Sequence, residues 1–134
     1  MEQRNPRPDL ADRSASIALL ESIGAAFNRH DVDGIMAHFA DDGVFDMPVG
    51  PDVNGKRVAG KAAVRKAFAD LFAAMPDIHW EPINNWVSGN MGCSEWHRTG
   101  TTTGGERQDW LGLDLFTFRN GKVIKKDSYF KIRK

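Results

Sequence analysis

The chain has 134 residues, 41% hydrophobic and 27% charged, which fits one globular domain with its own core and excludes collagen-like, disordered and membrane-spanning classes. Eighteen Lys and Arg balance eighteen Asp and Glu, so no net field draws in a polyanion, and neither nucleic acid nor an anionic membrane is an expected partner. The start, MEQRNPRPD, is polar with two prolines and carries no signal-peptide core, and the single Cys93 allows no internal disulfide; both fit a cytoplasmic protein.

Residues 1–8 read as a disordered terminus and 9–134 as a single domain. From Asp9 to Arg29, Ile17, Leu20, Gly24 and Phe27 recur at helical spacing, and Asp31 opens a short second helix facing inward with Val32, Ile35, Met36 and Phe39. Gly43 to Met47 alternates as a strand that stops at Pro48. The stretch from Pro48 to Gly60 is rich in turn formers and reads as a loop. A third helix from Lys61 to Met75 carries Val64, Phe68, Leu71 and Phe72 on one stripe and ends at Pro76.

The period then changes to that of strands: Ile78 to Val87, Gly92 to Thr102, Gln108 to Arg119 and Lys122 to Ile132. Their separators, Ser88-Gly89-Asn90, Thr103-Gly104-Gly105 and Asn120-Gly121, are hairpin chemistry. Helices first and hairpins afterwards predict an α+β fold, with the helices on one face of a curved, mostly antiparallel sheet. In the strand from Gln108 one parity is Trp110, Gly112, Asp114, Phe116 and Phe118 and the other Leu111, Leu113, Leu115 and Thr117. Both faces are apolar, yet the helices suffice for one, so a homodimer through the sheet is expected.

Asp114 is the carboxylate that stands out, because it lies among Leu113, Leu115, Phe116 and Phe118 instead of in a turn. A carboxyl so placed must be paired or protonated, and it can serve as a general base, as a neutral donor to an oxyanion, or as half of a structural ion pair. Arg98, sharing a parity with Ser94 and Trp96, is the expected partner. Of the C-terminal cations, Lys122, Lys125, Lys126, Lys131, Arg133 and Lys134, most are expected at a solvated strand edge. His30, His38, His79 and His97 form no metal-ligand spacing, Cys93 has no base in sequence reach, and no metal or cofactor is expected. Gly50 to Arg57 approaches a phosphate loop, but Arg57 stands where Ser or Thr would hold magnesium and Pro51 removes an amide.

The strings Phe39-Ala40-Asp41-Asp42-Gly43-Val44-Phe45-Asp46-Met47-Pro48, Gly60-Lys61 opening a helix, Leu113-Asp114-Leu115-Phe116-Thr117-Phe118-Arg119-Asn120-Gly121-Lys122-Val123 and Tyr129-Phe130, in this order, resemble the SnoaL-like branch of the nuclear-transport-factor-2-like superfamily. The resemblance spans the chain from about residue 15. It implies a cone-shaped α+β barrel, three helices packed on a curved sheet around an apolar pocket, commonly dimeric. It also implies a pocket role for Asp114, resembling the neutral oxyanion donor of ketosteroid isomerases or the acid/base Asp of polyketide cyclases. The isomerase base falls on Met47, with Asp46 one residue off, and the isomerase tyrosine falls near Ile23. The epoxide hydrolase's Arg-x-Asp falls approximately on Trp96 and Arg98, and its last-strand Asp on Ser128, with Asp127 of opposite parity.

These readings point to a cofactor-independent isomerase, cyclase or lyase acting on a hydrophobic, oxygenated small molecule. Asp114 and Arg98 are the expected catalytic residues, and Met47, Trp96, Phe116, Ser128 and Phe130 the expected lining. The competing reading is a non-catalytic ligand-binding or dimeric interaction protein of the same fold, with Asp114 and Arg98 as a structural pair.

Overall fold

A computed structural model describes residues 15–134, so the expected disordered terminus and the first residues of the expected first helix lie outside the described residues. Ser16 caps α1 (Ile17–Asn28), its hydroxyl accepting from the Leu19 amide at 3.0 Å, and the helix buries Leu20, Ile23, Ala26 and Phe27. Asp31 caps α2 (Val32–Met36) in the same way through the Gly34 amide, and α3 (Lys61–Ala74) ends two residues before Pro76.

The strands are β1 (Phe39–Asp52), β2 (Gly55–Ala59), β3 (His79–Ser88), β4 (Met91–Thr101), β5 (Arg107–Arg119) and β6 (Lys122–Phe130). They form one sheet in the order β2-β1-β6-β5-β4-β3, antiparallel except where β1 runs parallel to β6. Helix α1 packs on β3 and β4 and α3 on β1, giving the α+β cone. Between them lies an aromatic core in which the Phe68 ring meets Phe27, Phe39 and Phe45 at centroid distances of 5.0, 5.7 and 5.1 Å.

Two expectations about elements change. The stretch from Pro48 to Gly60 is a β-hairpin instead of a loop: β1 continues through Pro48 to Asp52 and turns into β2. Proline is tolerated there because pairing with β6 ends at Asp46, so no amide is needed on that side. The second difference is a bulge. Thr117 pairs with Lys125 and Phe118 with Val123, leaving Ile124 without a partner, so Val123 and Lys126 both point into the core. Lys126 is therefore buried, 6% exposed, and not at a solvated edge.

The β5–β6 hairpin follows from its turn. Asn120 and Gly121 both take positive φ, 52° and 75°, the geometry that Asn-Gly reaches cheaply in a two-residue hairpin.

Candidate functional site

Asp114 sits at the middle of β5 on the concave face, paired in register with Ser94 of β4 and Ser128 of β6, and it is 8% exposed. Three donors converge on it. Trp96 Nε1 donates to Oδ2 at 3.0 Å; Ser128 Oγ and Lys126 Nζ donate to Oδ1 at 2.5 and 3.1 Å. Lys126 Nζ also donates to Ser128 Oγ at 2.9 Å, which turns the serine hydroxyl proton toward Asp114. The ammonium lies over the Phe45 ring, 4.4 Å from its centroid, with the rings of Phe27 and Phe68 slightly farther away.

Gly112 makes this arrangement possible. It is the register partner of Trp96, and a Cβ there would lie 2.4 Å from Trp96 Cη2, so only glycine lets the indole lie across β5 and reach Asp114 two residues on.

The group lies on the wall of a cavity of about 370 Å³. Met47, Trp96, Ser128 and Phe130, all expected lining residues, border it together with Arg98 and Asp114. Phe116, also expected, sits deeper: it is 2% exposed in the core and borders a separate void of about 50 Å³ behind Trp96 and Lys126. The rest of the cavity wall is mostly apolar, with Phe45, Leu71, Met75, Trp80 and Trp110 prominent. This is the usual make-up of a small-molecule site: apolar walls and a few convergent polar groups.

Arg98 is on the concave face as its parity predicted, but it does not pair with Asp114. The ion-pair partner of Asp114 is Lys126. The reason is register: the β4–β5 hairpin sets Arg98 opposite Trp110 and Ser94 opposite Asp114. The Arg98 guanidinium instead lies over the adjoining rings of Trp110 and Phe130, 4.9 and 5.1 Å from their centroids, which are themselves 4.8 Å apart, and donates through Nη2 to Gln108 Oε1. Burial lowers its pKa from the ordinary arginine value, with the Asp114 charge acting in the opposite direction.

Asp46 is 1% exposed but belongs to the convex side, where Arg57 grips it bidentately at 2.8 Å and 2.8 Å and Lys125 approaches to 4.0 Å. It does not border the 370 Å³ cavity. Cys93 is buried, and burial pushes its thiol up to about 11, with Glu95 and Asp114 adding to the rise, so the protonated, non-nucleophilic form dominates at neutral pH. His30 stacks on Phe72 and contacts the Ile78 carbonyl at 2.8 Å, a packing role. Among the described residues no group of three His, Cys, Asp or Glu is placed to hold a metal ion.

The model of the SnoaL-like domain matches residues 20–126. The chain belongs to the SnoaL-like domain family. Among solved structures it is similar to a putative polyketide cyclase from Xanthomonas campestris pv. campestris (22% identity, 90% of this chain and 93% of that chain, TM-score 0.77). It is also similar to an NTF2-like protein of unknown function from Burkholderia pseudomallei (22% identity, 86% and 89%, TM-score 0.75). A third similar structure is SalBIII, an epoxide hydrolase/cyclase-like enzyme with a role in pyran ring formation in the polyether salinomycin (22% identity, 85% and 88%, TM-score 0.73). No curated protein matches the chain. At these identities the likeness establishes the SnoaL-like cone and leaves the chemistry to the cavity's own residues.

Proposed function

We propose that this SnoaL-like protein is a cofactor-independent acid/base enzyme of the isomerase, cyclase or lyase type, acting on a hydrophobic, oxygenated small molecule. The observation that carries the reading is the buried Asp114–Ser128–Lys126 group on the wall of an apolar cavity. A carboxylate offers about four lone-pair positions, and three are taken by Trp96, Ser128 and Lys126, so one remains for a substrate proton. In the proposed step Asp114 takes a proton from the carbon next to a substrate carbonyl. The C–H electron pair moves into the carbonyl, and the third N–H of Lys126 meets the oxyanion that develops. Return of the proton at another atom gives an isomerisation; attack of the enolate carbon on a second carbonyl of the same molecule, whose π pair moves to its oxygen and takes the proton held by Asp114, gives ring closure.

Deuterium exchange tests this without the natural substrate: 2-tetralone and 2-decalone in D2O lose their α-protons in the presence of the protein, followed by proton NMR. Asp114→Asn is expected to slow the catalysed exchange by about 10²-fold or more, the scale of a lost general base. Equal exchange by the variant contradicts the reading.

A ligand-binding protein without catalysis is the second reading, favoured by the three hydrogen bonds that Asp114 already accepts, as in a structural ion pair. It predicts that Asp114→Asn loses stability and no turnover.

We also propose that the protein acts as a homodimer through the convex face of the sheet. Leu111, Tyr129, Trp86 and Met91 lie on that face 51%, 53%, 46% and 40% exposed, beside the half-buried Leu113 and Leu115. A second copy covers such a self-complementary apolar stripe with a two-fold axis. Light scattering is expected to give twice the chain mass, and Leu111→Glu half of that.

A further inference from the structure

The charged residues lining the 370 Å³ cavity are Arg98, Lys126 and Asp114, two cations and one anion. Lys126 and Asp114 neutralise one another at 3.1 Å. Arg98 is left over. It is 7% exposed, no carboxylate lies within ion-pair distance of it among the described residues, and its Nε–H is buried with no hydrogen-bond acceptor. Two adjoining aromatic rings lie against the guanidinium, and a single neutral amide oxygen, from Gln108, accepts from it.

A buried cation with an orphaned donor is expensive, because neither its charge nor its N–H is satisfied by the fold. Contact with both rings and the bond to Gln108 restrict the guanidinium, so its remaining N–H groups form a preorganised donor fork for an anion. The fold thus holds Arg98 in place and leaves its charge for something else to match.

From these observations we infer that the ligand of this cavity is a hydrophobic monocarboxylate, its carboxylate seated on Arg98 beside Gln108 and its oxygenated end at Asp114 and Lys126. The inference rests on the cavity being the substrate site and adds the substrate class to it. Ser94, the register partner of Asp114, precedes Arg98 by four residues on β4, so the two ends of the site are separated by about 13 Å of strand. The carboxylate and the reacting carbon therefore belong to opposite ends of the molecule, with the apolar skeleton between them against Trp80, Trp96 and Phe130. Binding brings the charge inside the cavity to zero. A single carboxylate charge balances the one unmatched cation, whereas a phosphate dianion would leave the apolar cavity with a net negative charge.

The test uses a matched pair of probes, biphenyl-4-carboxylate and the neutral biphenyl-4-carboxamide, titrated calorimetrically into the full chain. The carboxylate is expected to bind at least tenfold more tightly, and Arg98→Met to bring the ratio of the two affinities close to one. A carboxamide that binds equally well, or a preference that survives in Arg98→Met, overturns the inference. If Arg98→Met fails to fold, the wild-type protein still decides. The ¹⁵N–¹H resonance of Arg98 Nε is expected to shift on adding millimolar biphenyl-4-carboxylate, and a resonance that does not move overturns the inference. Failure of the acid/base reading is seen separately, because Asp114→Asn without effect on exchange leaves the carboxylate preference in place.

Discussion

Lys126 reaches Asp114 diagonally across the β5–β6 ladder, Nζ to Oδ1 at 3.1 Å, because the unpartnered Ile124 turns Lys126 to the same face as Val123. The lysine is thereby embedded among Phe27, Phe45 and Phe68, and its charge is matched by the carboxylate it touches. Removing one member leaves the other buried and unpaired. Lys126→Met is expected to cost about 3–5 kcal/mol in urea unfolding, and Lys126→Met combined with Asp114→Leu to recover most of that loss.

Gly112→Ala tests the positioning of Trp96. The added Cβ would lie 2.4 Å from the indole and 2.5 Å from the Tyr129 carbonyl oxygen, and the backbone atom cannot swing aside. A destabilisation of about 1–3 kcal/mol is expected. The Trp96 Nε1–H resonance is expected to move toward the position of a free indole as its bond to Asp114 breaks.

Asp46 gives a pH dependence of defined sign. The Arg57 hydrogen bonds hold its carboxyl below the ordinary 3.8, against the opposing effect of burial, with Asn54 and Lys125 adding to the lowering. A carboxyl lowered by folding contributes stability that is fully present above its unfolded value, about 3.9, and is lost as pH falls through the folded value. Asp46→Asn is therefore expected to be less stable than wild type at pH 7. The difference is expected to shrink below about pH 4 in denaturant titrations across pH.

The sequence carried the inward face of β5 well, since alternation alone places Asp114 with Trp110, Phe116 and Phe118, and the Gly and Asn turns mark all three later hairpins. Parity places Arg98 on the inward face, but register decides its partner. A hairpin centred on Gly104 puts Ser94, not Arg98, opposite Asp114, and that information was present in the turn. Lys126 is hidden among the other C-terminal cations, although it shares the parity of Ser128 and Phe130, which border the cavity. A lysine on an apolar parity beside a buried carboxylate is the signal that would have found it. The β1–β2 hairpin was masked by Pro48, which stops a central strand but not one whose neighbour has already ended.

The most direct test of the central claim is the catalysed exchange of 2-tetralone α-protons in D2O, comparing wild type with Asp114→Asn at matched folded fraction. The structure predicts exchange above the buffer rate for wild type and a loss of about 10²-fold or more in the variant. Exchange at the same rate in both proteins would contradict a proton-transfer role for Asp114.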